Sequence, residues 1–222
     1  MKILITDDHR IVRDGLQASL EAAGFTVVGA AANGHEAIAL AHRLRPDLVT
    51  MDIAMPELNG IEATRRIVNE LPATRVLGLS MRSDQQSVAA MFAAGAAGYL
   101  PKASASSAEL CEAVRLIVAG QRYVNATVAG LLIDHLAYVA KAGWAPLGFR
   151  TDSGGGKPLS AREREVLQLI AEGKSSKEIA TCLMLSVPTV ETHRRQVMNK
   201  LSLRSVAQLT KFAIREGLTP LE

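Results

Sequence analysis

Asp7 and Asp8 follow the aliphatic run KILIT, Asp52 follows DLVTM, Ser80 closes RVLGLS, and Lys102 comes directly after GYLP. Each run is short, apolar and bounded by turn formers, the pattern of a buried strand. The five side chains therefore fall at strand ends and converge on one edge of a sheet. Carboxylates crowded together repel unless a cation neutralises them, and Mg²⁺, which takes oxygen ligands and keeps several waters, suits Asp7, Asp8 and Asp52. A second oxygen of Asp52 is then a nucleophile for a phosphoryl group. The metal and the Lys102 ammonium would stabilise charge on the transferring oxygens, and the Ser80 hydroxyl would bond the phosphoryl product.

The elements that must hold these groups alternate along residues 1–120. Lys2–Thr6, Thr26–Ala31, Asp47–Met51, Arg75–Leu79 and Gly98–Leu100 read as five strands, separated by helical patterns over Arg10–Ala22, His35–Leu44, Gly60–Asn69, Gln85–Ala94 and Ala108–Ala119. Gly24, Gly95 and Gly120 stand where helices should stop. Alternation of this kind predicts an α/β, doubly wound, five-stranded parallel sheet of flavodoxin-like type, whose ligands collect at the carboxyl ends of the strands.

The order of motifs in this part, DDH at 7–9, MDIAMPELNG at 51–60, LS at 79–80 and GYLPK at 98–102, resembles the receiver domain of bacterial two-component response regulators. The resemblance implies that Asp52 is the phospho-acceptor, that Asp7, Asp8 and Asp52 hold Mg²⁺, that Ser80 is the switch hydroxyl with Tyr99 as the aromatic that follows it, and that Lys102 contacts the phosphoryl group. It also implies a sensor histidine kinase as partner, and no enzymatic activity beyond self-phosphorylation at Asp52 and slow autodephosphorylation. Ala54, two positions past the acceptor, cannot position a water, and His9 reads as a surface or capping residue.

Residues 125–140 carry one more helical pattern, after which KAGWAPLGFRTDSGGGKP loses periodicity and reads as a linker. The remainder is helical throughout. Ser160 with Glu163 and Ser175 with Glu178 have capping-box spacing, Ser186 with Pro188 marks a third start, and a fourth helix fits Ser205–Glu216. The expected organisation is a domain over 1–124, a helix and linker over 125–156, and a small all-α four-helix domain over 157–222. In a helix-turn-helix the third of these helices enters the major groove. Its sequence places Val187, Val190, Val197 and Leu201 inward and Glu191, Thr192, Arg194, Arg195 and Asn199 outward. REREVL, KEIA, TVETH and KL within 162–201 make this segment similar to the LuxR-type helix-turn-helix, and the two domains together resemble the NarL/FixJ class of response regulators. That likeness implies double-stranded promoter DNA as partner, contacted by Glu191, Thr192, Arg194, Arg195 and Lys200, and a homodimer upon phosphorylation. Of the two arginines, Arg195, four positions after Glu191, is the expected base reader. Val206, Leu209 and Ala213 form a stripe that suits either a dimer contact or the core.

Composition agrees with a two-domain globular chain: 222 residues, 48 % hydrophobic and 21 % charged. The net charge of +3 divides into +4 over 157–222 and −1 over 1–156, so the basic excess belongs to the end expected to face nucleic acid. No apolar run reaches the roughly 18–20 residues of a membrane span. MKILITDDH has no signal-peptide core, so a cytoplasmic protein without membrane attachment is expected. Cys111 and Cys182 lack metal-ligand spacing and read as reduced packing residues. Competing chemistry remains open at this point. A phosphohydrolase could use Asp52 through a covalent aspartyl phosphate, although the haloacid-dehalogenase pattern has a second Asp where Ala54 stands. A dinucleotide enzyme would need GxGxxG in place of DDHRIV. A LuxR-type sensor of a small molecule would need a ligand-pocket domain in place of the acidic one.

Overall fold

A computed structural model of the chain describes residues 1–81, 84–141, 159–215 and 218–219. They divide into two compact units, one built on a sheet and the other on helices. The first contains β1 (Lys2–Thr6), α1 (Arg10–Ala22), β2 (Thr26–Ala31), α2 (Gly34–Leu44), β3 (Leu48–Asp52), α3 (Gly60–Glu70), β4 (Arg75–Ser80), α4 (Gln85–Ala93), β5 (Gly98–Pro101), α5 (Ser107–Val118), β6 (Tyr123–Val124) and α6 (Ala126–Lys141). All its strand pairings are parallel, in the order β2-β1-β3-β4-β5-β6.

Five strands are where the periodicity puts them, and a sixth of two residues, β6, extends the edge beside β5. So short a strand carries no alternation to recognise. One face of the sheet buries Ile3, Ile5, Leu48, Leu77, Leu79 and Leu100 with Leu110, Val114 and Ile117 of α5. The alternate residues Leu4, Val49 and Val76 are equally buried on the other face, which α2, α3 and α4 cover. A parallel sheet covered on both faces needs such near-continuous apolar runs. Gly24, Gly95 and Gly120 take left-handed conformations directly after α1, α4 and α5. α6 packs against α4, where the Gln85 side chain donates to the Leu131 carbonyl at 3.3 Å.

The second unit contains α7 (Ala161–Ala171), α8 (Ser176–Leu183), α9 (Val187–Leu201) and α10 (Val206–Arg215). Ser160 and Ser175 head full capping boxes with Glu163 and Glu178, and Ser186 caps α9 with proline in its first turn. Val166, Leu169, Ile179, Val190, Val197 and Leu209 meet in one core. Leu209 and Ala213 are fully buried while Val206 is exposed, so the stripe on α10 is chiefly core. Cys111 is buried but Cys182 is exposed and does not pack, and both are free thiols. The Gly-, Pro- and Ser-rich linker lies, from residue 142 on, outside the described residues, as does Glu216 at the expected end of the last helix.

Candidate functional site

β1 and β3 are neighbours while β2 lies outside β1, so the chain direction across the sheet reverses between them. Crevices at the carboxyl ends of strands open at such reversals. Asp7 and Asp8 follow β1, and Asp52 ends β3. The loop after β1 is pinned by Arg13, whose Nη1 donates to the carbonyls of Asp7 at 2.7 Å and Asp8 at 3.1 Å. Arg13 carries no motif signal, because it acts on backbone six residues away through the turn of α1.

Lys102 is the centre of the pocket. Its ammonium bonds Asp7 Oδ2 and lies 2.9 Å from Asp52 Oδ2. The Lys102 amide in turn donates to the Ser80 carbonyl at 2.8 Å, so β4 positions the lysine as well as the hydroxyl. Asp52 Oδ1 accepts from the Ile53 amide at 2.8 Å. Burial pushes the Asp52 carboxyl above its ordinary value; Lys102 works in the opposite direction without overcoming it, and Asp7 adds to the rise.

Two glycines make this geometry possible. A Cβ on Gly60 would stand 1.8 Å from the Asp52 carbonyl oxygen, so only glycine lets α3 begin against the Asp52 backbone. A Cβ on Gly78 would meet Met91 at 2.9 Å and the Tyr99 ring at 3.3 Å. Tyr99 pairs with Gly78 across β4 and β5, is fully buried, and hydrogen-bonds Ser80. Burial pushes its hydroxyl up to about 12, against the opposing effect of the Ser80 bond and with support from the nearby Asp84 carboxylate. The expected pair of hydroxyl and aromatic is thus assembled, whereas neither glycine's role was visible without its neighbours.

His9 is a surface residue, as expected, its side chain 70 % exposed. It occupies the residue before α1 but makes no side-chain cap bond, and its Nδ1 lies 2.7 Å from Asp8 Oδ1. Ligand atoms of Asp7, Asp8 and His9 lie within 4.8 Å of one another. The carboxylates among them are the hard oxygen donors a divalent cation of the Mg²⁺ type takes. Asp52 does not join that cluster; Lys102 stands between it and Asp7.

In the helical unit, α8 and α9 are joined through Met184, Leu185 and Ser186, with Met184 in the left-handed conformation at φ 52°. A turn of this length is that of a helix-turn-helix. Burial of Val190, Val197 and Leu201 fixes the inward face of α9, leaving Thr192, Arg195 and Asn199 exposed; Val187, expected inward, is exposed instead, because it opens the helix directly after the Ser186 cap, ahead of the buried stretch. Glu191 and Arg194 lie on the flank of that stripe and pair at 3.9 Å, so Glu191 meets the arginine three positions on, not Arg195 four positions on. Lys200 bonds Glu163 at 2.6 Å, which gives it a structural partner in the capping box of α7.

Residues 3–115 match the family described as response regulator receiver domain, and residues 157–213 match bacterial regulatory proteins of the luxR family. The transcriptional regulatory protein LiaR of Bacillus subtilis is 35 % identical over 98 % of this chain and 99 % of its own. A crystal structure of a two-component response regulator of the LuxR family from Aurantimonas is 37 % identical with TM-score 0.58, over 61 % of this chain and 97 % of that one. RcsB from Salmonella enterica serovar Typhimurium, bound to promoter rprA in the presence of the phosphomimetic BeF3-, is 26 % identical with TM-score 0.58, over 96 % and 97 % of the two chains. A receiver joined to a DNA-binding helix-turn-helix defines a response regulator that acts on transcription under the control of phosphorylation. The chain belongs to the NarL/FixJ class of that family.

Proposed function

We propose that Asp52 accepts a phosphoryl group from a sensor histidine kinase and that the modified protein dimerises and binds double-stranded promoter DNA, in the cytoplasm. The observation that carries this reading is the junction of Asp52, Asp7 and Lys102 at the sheet's reversal point. In the transfer, an Asp52 carboxylate oxygen forms a bond to phosphorus as the bond from phosphorus to the donor breaks, leaving an acyl phosphate. Lys102 offsets charge on the phosphoryl oxygens, and the Ser80 hydroxyl donates to one of them. Mg²⁺ held by Asp7, Asp8 and Asp52 would supply further charge neutralisation. Phosphorylation adds about −1.5 to −2 charge and strong acceptor oxygens. These compete with Tyr99 for Ser80, and β5 and α4 relay the change, α6 being packed on α4.

Incubation with a small phosphodonor and Mg²⁺ tests this. A base-labile phosphoprotein is expected, with labelling lost on chelation, and rapid multiple turnover of the donor would favour a phosphohydrolase instead. Ser80→Ala should still label but lose phosphorylation-dependent dimerisation. Unchanged dimerisation would remove Ser80 from the relay. On DNA, Thr192 and Arg195 face base edges and Arg194 holds phosphate, an assignment supported by the exposure of Thr192 and Arg195 and by the pairing of Arg194 with Glu191. Arg194→Ala should weaken all duplexes about equally and reduce the salt slope by roughly one unit, while Arg195→Ala should cost ~1–3 kcal/mol on the preferred site.

A further inference from the structure

Glu191 is an acidic group on a helix whose neighbours in sequence suit a polyanion. Its carboxylate is nonetheless held in place. The Ser176 hydroxyl, in the first turn of α8, donates to Glu191 Oε1, and Arg194 Nη1 approaches the same oxygen at 3.9 Å. Both contacts use Oε1, so Oε2 keeps its acceptor capacity. The side chain is 46 % exposed and stands one turn inside the Ser186 cap, in the half of α9 that reaches base edges in a helix-turn-helix. Fixing a flexible side chain before binding removes part of the entropy cost of using it in an interface.

We propose that Glu191 is a specificity-determining residue that reads cytosine through its exocyclic amino group, with Ser176 as its positioning residue; this rests on the DNA-binding reading of α9. A carboxylate only accepts hydrogen bonds. In the major groove guanine presents N7 and O6 and thymine presents O4, all acceptors that repel it. Adenine offers an amino donor, but beside the N7 acceptor. Cytosine offers the N4 amino group without that neighbour, so it alone is favoured without an opposing contact. The same charge that selects cytosine rejects the alternatives, and Arg194 offsets part of its repulsion from the flanking phosphates. Thr192 complements it. The Thr192 hydroxyl donates to the Pro188 carbonyl at 2.9 Å, leaving the methyl group and lone pairs for the groove.

The test is selection of binding sites from random duplexes by the full chain, comparing wild type with Glu191→Gln, Glu191→Lys and Ser176→Ala. Wild type should select cytosine at one position of each half-site by about tenfold over other bases. Glu191→Gln should shift that position to adenine and Glu191→Lys to guanine, leaving the other positions as they were. Ser176→Ala should blunt the cytosine preference, and Ser176→Thr, which restores the hydroxyl, should recover it. A general effect of charge would instead raise the affinity of Glu191→Gln for every duplex equally, and that result overturns the proposal. So does a base preference that ignores residue 191. If the wild-type chain shows no salt-dependent binding to any duplex, the DNA-binding reading fails first and takes this one with it. Glu191→Gln is isosteric and keeps the experiment decisive should Glu191→Lys misfold.

Discussion

Both units bury a carboxylate beside a lysine, and the two pairs come out opposite. Glu163 in the helical unit is 3 % exposed and bonds Lys200 at 2.6 Å, while Ser160 donates to it through its backbone and side chain. Burial is the largest single influence on it and works upward, but Lys200 and Ser160 together outweigh it and hold the Glu163 carboxyl below its ordinary value. Asp52 is 5 % exposed and also has a lysine, at 2.9 Å, yet burial wins and its carboxyl is held above the ordinary value. The difference lies in the company. Glu163 sits in a capping box whose donors all favour its charge. Asp52 shares Lys102 with Asp7 and feels Asp7 as a like charge. The carboxylate that caps the start of a helix is kept ionised and stabilising; the one at the sheet's reversal point is kept under-satisfied, as functional carboxylates often are.

The most severe test of that contrast is loss of chemistry. Asp52→Asn should reduce phosphodonor labelling to background with the fold intact, because an amide oxygen is a poor nucleophile. Glu163→Gln should label as wild type. Labelled Asp52→Asn protein, detected by phosphate-affinity electrophoresis, would place the acceptor elsewhere.

Next in size is the backbone that supports Asp52. Gly60→Ala sets a Cβ against the Asp52 carbonyl oxygen, a backbone atom that cannot move aside as a side chain can. A loss of about 3 kcal/mol is expected, with impaired labelling. Gly15, within α1, has nothing within 4 Å of its notional Cβ, so Gly15→Ala should stabilise by about 0.5–1 kcal/mol. Equal responses of the two glycines to urea would remove the steric account of Gly60.

Glu163→Gln should cost about 1–2 kcal/mol, discounted for the partial exposure of Lys200. The sign with pH follows from the lowered carboxyl. The stabilisation is present above the ordinary carboxylate range and is lost as pH falls through the folded value. Hydrogen exchange in α7 and α9 of wild type and variant should therefore converge in acid. A difference that persists at every pH would mean that packing, not charge, is at work.

The residues in these tests differ in how visible they are in the sequence. Asp7, Asp8, Asp52, Ser80 and Lys102 were legible because strand ends lie at one sheet edge, so chain position alone brings them together. The capping serines were legible because their partners lie three residues away. The Lys200 pairing spans 37 residues and the Ser176–Glu191 bond spans 15, and both depend on which helix faces are buried. Neither pairing therefore shows in the sequence. Gly60 and Gly78 matter for what crowds them, which no local pattern records, and β6 is too short to show periodicity.

Of the effects on the two carboxylates the smallest is on stability, and it separates them by sign. A raised carboxyl contributes stability only below the ordinary range and loses it as pH rises through the folded value, so ionised Asp52 works against folding at neutral pH. Asp52→Asn removes that charge, keeps the shape, and leaves Lys102 its bond to Asp7. The variant should therefore be more stable than wild type at pH 7, by on the order of 1 kcal/mol. The gain should shrink in acid, where wild-type Asp52 takes up its proton. Calorimetry across pH 4–8 checks both statements. Should Asp52→Asn be less stable at pH 7, the Lys102 pair outweighs burial, and Asp52 resembles Glu163 after all.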